Sequence, residues 1–429
     1  MPSWSPLNND LLKLRHTFFS LLKPSYGHRY ELDDDLQYRR QLLNLRVRSV
    51  ARRLADDLQR VRNALNEGDH LEIVILVIAC KRFEALKEHL ESLQNLQGPK
   101  IPIVVSLDCN DDAIRNLVLS AGPNVTLIEN PDQSSFNLTK HERKYEGYYR
   151  IARHYHFALD YVFSILRYQS AIITEEKPVS LLDGTQSIYC LQLSDDLLLA
   201  PDFLEYMLAS RKLLFEDPTI WCISAWNDNG KKELIVKNNS LLHRTDFFPG
   251  LGWMLTSHLW EELKVKWPKT FWDDWMRDPA QRQGRACIRP EISRTGISLR
   301  GKKGVSKGMY YEKYLKHIMV NTDFYHFSRS DLSYLKKDYY DPAFRKNIIG
   351  AVPATLDEIL RGRFQNNTIL PEKVRLSYVG SADFKAFARR FNVMDDFRVC
   401  LRDLNFLFSV ASRIREFTLA MHEVNLAVI

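Results

Sequence analysis

Residues 34 to 67, DDLQYRRQLLNLRVRSVARRLADDLQRVRNALNE, contain no Gly or Pro, and Leu and Val recur at helical spacing among Arg and Asp. That period predicts one long amphipathic helix, either a solvated stalk or a surface for self-association. At Leu71 the period changes. LEIVILVIAC is a continuous apolar run rich in β-branched residues, as expected of a strand covered on both faces. FEALKEHLESLQNL returns to the helical period, and IPIVVSLDC, the helix-like DDAIRNLVLSAG and NVTLIEN follow in turn. The alternation is β-α-β-α-β, which implies a parallel sheet with right-handed crossovers. YEGYYRIARHYHFALDYVFSIL (145 to 166) predicts a further helix and SAIIT the next strand. The chain therefore divides into a helical stem-like region (1–70), an α/β domain (71–320) and a linker with a smaller C-terminal domain (321–429).

Open parallel sheets bind ligands beyond the carboxyl ends of their strands. That rule selects Arg82, Asp108 and the acids between 175 and 196. The last group lies in AIITEEKPVSLLDGTQSIYCLQLSDDLLLAPDF (171 to 203), which starts as a buried strand ending in Glu175 and finishes with Asp195 and Asp196 before a helix start at Asp202. Without residues 176 to 194 it would be a strand tip with three consecutive acids. EKPVSLLDGTQS holds a Pro and an Asp-Gly turn signal, so 176 to 194 are expected to be a surface excursion. Two arrangements preserve Asp196. Either SAIIT stays in the sheet, or IYCLQL replaces it and Glu175 is expelled.

The chain has no G-x-G-x-x-G after its first strand and no Walker A lysine loop. If the sheet holds a nucleotide, a cation bound by carboxylates is the substitute for a glycine-rich phosphate turn. Of the adjacent Asp195 and Asp196, one can ligate a cation while the other reaches a sugar hydroxyl; the bland alternative is a solvated turn. In KTFWDDWMRDPAQRQGRACIRPEISRTG (269 to 296), Asp273 and Asp274 lie between Trp272 and Trp275. Desolvation there would raise a carboxylate pKa and improve it as a general base, unless the pair is only a structural corner. Arg277, Arg282, Arg285 and Arg289 in the same stretch could clamp phosphate or carboxylate. RTDFFPGLGWML (244 to 255) has the content of a sugar-stacking loop or of a buried turn. LRGKKGVSKGMYYEKYL (299 to 315) reads as a basic loop able to cover a diphosphate, with Ser306 as a donor, or as a plain exposed loop.

Charge is mixed, 60 basic against 53 acidic residues, and no basic block interleaves with aromatics, so no nucleic-acid partner is expected. The longest strongly apolar run, Ile73 to Cys80, is far short of the ~20 residues of a bilayer span. The N-terminus lacks a signal-peptide core, which leaves a cytosolic protein or one whose true start lies upstream. Cys80 and Cys109 end consecutive strand-like runs. They form a reduced buried pair or, in an oxidising compartment, a disulfide. N-x-S/T sequons at Asn124, Asn137, Asn238 and Asn366 add little, since such motifs arise by chance.

Taken together, DFFPGLGW, FWDDWMR, QGRACIRPEISRT, GYYRIARHY, WCISAWNDNGK, KGVS and DLSYL resemble the N-acetylglucosaminyltransferase I family, from about Glu72 to about Asp396. The resemblance implies a glycosyltransferase type A fold and an inverting mechanism. It implies UDP-GlcNAc as donor, Mn2+ as cofactor and the alpha-1,3 arm mannose of a high-mannose N-glycan as acceptor. By the same resemblance Arg82, Asp108 and His154 would bind uridine, Asp195 the sugar and Ser306 the diphosphate. Asp196 would ligate the metal, and Asp273 would deprotonate the mannose 2-hydroxyl. The family pairs cysteines matching Cys80 with Cys109 and Cys222 with Cys287. It also implies the Golgi lumen and a single-pass type II membrane protein, although residues 1–70 match only the stem and show no anchor.

Two departures stand out. Glu175 and Asp195, continuous in the family, are separated here by residues 176 to 194, with Ser194 in the slot before Asp195. Beyond about residue 397 the family's final strand pattern is lost, and the tail reads as helical and apolar. Two functions follow: an active transferase, or an inactive relative that only binds sugar nucleotide or glycan.

Overall fold

The computed structural model describes residues 73–175, 197–297, 315–371, 373–377, 380–394 and 405–409. All fall within one compact unit, His70–Ile429. The stem-like region, Asp195, Asp196, Ser306, Cys190 and Cys400 lie outside the described residues.

The sheet starts from four parallel strands: β1 (Ile73–Ala79), β2 (Ile103–Leu107), β3 (Val125–Glu129) and β4 (Ser170–Glu175). It continues through β6 (Ile220–Ser224), β7 (Leu242–Thr245), β8 (Trp253–Thr256) and β9 (Ala286–Pro290), in the spatial order β3-β2-β1-β4-β8-β6-β9-β7. Only the β4–β8, β6–β8 and β7–β9 pairings are antiparallel. The continuous apolar run of β1 is explained by its two covered faces. Ile73, Ile75, Val77 and Ala79 pack in the core under helix α1 (Phe83–Asn95). Val74, Leu76 and Ile78 pack in the opposite core with helix α3 (Glu146–Asp160). Each large aliphatic side chain so buried contributes about 1.5–3 kcal/mol, so a charge at any of them would break the centre of the sheet. Between these helices α2 (Asp112–Ser120) is capped by the Asp111 carboxylate, which accepts from the Ala113 and Ile114 N–H groups.

SAIIT keeps its place in the sheet. Ser170–Glu175 lies between β1 and β8, with Glu175 opposite Ile78. The arrangement in which IYCLQL displaces it is thereby excluded. The chain resumes at β5 (Leu197–Leu199), which leaves the main sheet to pair antiparallel with β10 (Thr295–Ile297).

Both cysteine pairs are disulfides. The parallel register Ala79↔Leu107 sets the ends of β1 and β2 side by side, and the Cα atoms of Cys80 and Cys109 are 5.2 Å apart. Cys222 and Cys287 are direct partners on β6 and β9, with Cα atoms 4.6 Å apart. Non-reducing peptide mapping of protein from a secretory host should find both bonds intact; free thiols at these four positions would contradict the pairing.

Toward the C-terminus a second sheet forms from β11 (Val352–Pro353), β12 (Lys373–Ser377) and β13 (Asn405–Ser409). The helical reading of 397–429 is therefore wrong at Asn405–Ser409, which pairs antiparallel with β12 along its whole length. Local composition there yields to a strand partner distant in sequence. Val374, Phe384, Phe387 and Phe391 form the core of this part with Leu234 and Phe247.

Candidate active site

Two of the residues selected by the strand-end rule sit together at the carboxyl edge of β1 and β2. Arg82 precedes α1 and is half-buried; Asp108 directly follows β2. The Cys80–Cys109 bond clamps these two turns to each other. His154 joins them from α3, with its Nε2 hydrogen-bonded to Ser106 Oγ at 2.9 Å. Burial pushes the His154 pKa down to about 3, so the imidazole is neutral. Burial raises the Asp108 pKa, opposed first by a hydrogen bond from Asn130 and then by the nearby Arg153 guanidinium. Asn130 was missed in the sequence although it follows β3 as Asp108 follows β2, and the same rule would have found it.

Asp273 lies in the first turn of α6 (Trp272–Arg277), a one-and-a-half-turn helix held by its aromatic neighbours. Trp272 stacks on Tyr155, the residue after His154, with ring centroids 4.2 Å apart, and also on Trp253 and Trp267. The helix that carries His154 thus also seats the helix that carries Asp273. Phe271, immediately before, adopts left-handed backbone (φ 50°) and packs on Tyr148. A non-glycine residue in that region stores strain that its surroundings must maintain. Asp273 is 5% exposed, consistent with desolvation between its tryptophans. Its Oδ2 accepts from Arg277 Nη1 at 3.0 Å, while Oδ1 is buried with no hydrogen-bond partner. Arg277 also donates to Asp274 and to the Phe248 carbonyl. Burial raises the Asp273 pKa, and Arg277 offsets part of that rise. A third carboxylate near this cation, Asp228, is pushed up to about 6, again by burial.

The other arginines of this stretch are tied into the fold rather than free to clamp a phosphate. Arg282 pairs with Asp246 at 3.4 Å, Arg285 with Glu262 at 2.7 Å, and Arg289 lies 3.8 Å from Glu291. The DFFPGLGW segment is a buried turn and not a sugar-stacking loop: Phe247, Phe248, Leu251 and Trp253 are all core residues. Gly252 has φ +77° and its position would bring a Cβ within 2.7 Å of Thr295, so only glycine fits.

Comparison with known proteins decides the family. The model of the GNT-I family matches residues 27–180 and 185–417. The chain belongs to the GNT-I family. It is 33% identical over 338 residues to the alpha-1,3-mannosyl-glycoprotein 2-beta-N-acetylglucosaminyltransferase of Arabidopsis thaliana, spanning 78% of this chain and 70% of that protein. Among solved structures it is similar to a mannosyltransferase from Pyrobaculum calidifontis in complex with GDP-Man and Mn2+ (15% identity, TM-score 0.31, 56% of this chain and 64% of that one). Another is glucosyl-3-phosphoglycerate synthase from Mycobacterium tuberculosis (11% identity, TM-score 0.32, 54% and 75%). The sheet of this GNT-I family chain is mostly parallel and flanked by helices, the arrangement expected of the family from its sequence.

The cation that such an enzyme would use has its expected ligands outside the described residues. Among the described residues no cluster of three or more His, Cys, Asp or Glu could hold a metal, and no helix is long and apolar enough to cross a membrane. The flanks of the acidic segment are visible. Glu175 ends β4 at the same edge of the sheet as Asp108, and Leu197, next after Asp196, is buried beside Trp226 and Ile297. Carboxylate oxygens are the hard donors that suit Mg2+ or Mn2+, so the donor set fits the cation.

Proposed function

We propose that this protein is an inverting glycosyltransferase that moves GlcNAc from UDP-GlcNAc to the 2-hydroxyl of the alpha-1,3 arm mannose of N-glycans, with Mn2+, in the Golgi lumen. Family membership supports the reaction, and the two disulfides support an oxidising compartment. The observation that carries the chemistry is Asp273: buried, oriented through one oxygen by Arg277, and with its other oxygen unpartnered.

In this reading Arg82, Asp108 and His154 hold uridine, Asp195 the transferred sugar and Ser306 the diphosphate. The mannose 2-hydroxyl gives its proton to Asp273 Oδ1 as its oxygen bonds to the anomeric carbon of GlcNAc. The bond from that carbon to the β-phosphate oxygen breaks, and its electron pair leaves with UDP. One displacement inverts the anomeric centre and needs no protein nucleophile. Asp196 would hold Mn2+, which when bound supplies charge neutralisation to the departing diphosphate.

The separation of Glu175 from Asp195 favours one other reading, a catalytically silent binder of sugar nucleotide. Cation dependence tests the site itself. In calorimetry, chelation or Asp196→Ala should weaken UDP-GlcNAc binding by about tenfold or more, roughly 1.4 kcal/mol. Equal affinity in excess chelator would rule out a metal-held diphosphate.

A further inference from the structure

Two amides converge on one oxygen of Asp108. Asn130 Nδ2 donates to Asp108 Oδ1 at 2.6 Å, and Gln133 Nε2 donates to the same atom at 3.3 Å. The Asn130 orientation is fixed, because its Oδ1 accepts from the Asp132 N–H at 3.1 Å and its own N–H extends the β2–β3 ladder to the Leu107 carbonyl at 2.8 Å. Asn130 is 6% exposed. Gln133 is held in turn by donating to the Asn130 carbonyl at 3.0 Å. Among the described residues no hydrogen bond reaches Asp108 Oδ2. The charged groups that face the carboxylate are Arg150 and Arg153 on α3. Arg153 is itself engaged by Asp132 at 3.2 Å and lies over the Phe136 ring.

An ionised carboxylate only accepts hydrogen bonds, whereas a protonated one also donates. Uracil carries a proton on N3 and donates there; cytosine presents a lone pair at the same position. We propose that Asn130 is a positioning residue that keeps Asp108 ionised with Oδ2 free, and thereby makes this site select a uracil nucleotide over a cytosine nucleotide. The inference rests on the reading of Asp108 as the uridine contact. Burial alone would favour the neutral carboxyl, which could pair with cytosine. Asn130 opposes that by stabilising the charged form and by occupying the oxygen that the base does not need.

The test is the ratio of UDP to CDP affinity by calorimetry with Mn2+ present. Both nucleotides carry the same diphosphate, so the ratio reports the base alone and is insensitive to the fraction of folded protein. Wild type should prefer UDP. Asn130→Ala should lower the ratio by about tenfold, the scale of one charge-assisted hydrogen bond. The fall should be larger at pH 5.5 than at pH 8, because Asp108 without its donor protonates at higher pH. Gln133→Ala, at an exposed position, should shift the ratio in the same direction by less. A ratio unchanged in both variants, while Asp108→Ala abolishes discrimination, would overturn the role of Asn130 and leave Asp108 as the base contact. A wild-type ratio in Asp108→Ala would overturn both.

Discussion

Asp273→Asn should lower kcat by about 10²-fold or more, the scale of a lost general base, and leave UDP-GlcNAc affinity unchanged. The amide has nearly the same shape and can still accept from Arg277, so α6 should stay seated on Tyr155 and Trp253. What it lacks is basicity at the unpartnered oxygen. The stability consequence has a definite sign. Burial raises the folded-state pKa above that of the unfolded chain. The contribution of this group to stability is therefore full below the unfolded carboxylate pKa and is lost as pH rises through the folded value. At neutral pH the variant should thus unfold at the same temperature as wild type or higher, whereas a structural corner would lose stability. Activity of the wild type should fall on the acid side as Asp273 protonates. Arg277→Met should move that limb to higher pH, since Arg277 is the main group holding the pKa down. A variant with near wild-type kcat would remove Asp273 from the chemistry.

Asp202→Ala should cost about 3–5 kcal/mol of stability, as expected when one partner of a buried pair is removed. Asp202 and Arg294 are both completely buried. The carboxylate accepts from Arg294 Nε and Nη2, the latter at 3.0 Å, and from Asn321 Nδ2 at 2.9 Å. Arg294 also donates to the Ile292 and Asn239 carbonyls and lies over the Phe327 ring. The pair joins the start of helix α4 (Phe203–Arg211), the strand β10 and the segment at 321–327. Removing the acid leaves a guanidinium without countercharge, whereas the double change Asp202→Leu with Arg294→Met should cost much less. Denaturant unfolding measures the difference; a loss below about 1 kcal/mol, the range of an exposed pair, would show that the pair is not holding these elements together.

Asp202 also shows where sequence reading stops. It was expected at a helix start, and α4 does begin at Phe203, but its side chain caps nothing and turns instead to Arg294, 92 residues away. Local patterns identify elements; they carry no trace of a partner that far along the chain. Arg282 and Arg285 misled for the same reason, since their partners Asp246 and Glu262 lie 36 and 23 residues away in sequence. The β1 strand and the placing of Arg82 and Asp108 at one edge of the sheet were legible because they depend on burial of both sheet faces and on chain direction, and both are written locally. The Trp-flanked Asp273 was legible because its desolvating neighbours are adjacent in sequence. Its orientation by Arg277 on the next turn was not read, although the i,i+4 spacing was there to see.

The most direct test of the central claim is turnover of UDP-GlcNAc with a mannose-terminated N-glycan acceptor, assayed with Mn2+ and with chelator. An active transferase should release UDP and form a β-linked GlcNAc on the mannose 2-hydroxyl only when the cation is present. Cation-dependent binding of UDP-GlcNAc by folded, disulfide-bonded protein, with no product formed, would contradict it and leave the silent sugar-nucleotide binder.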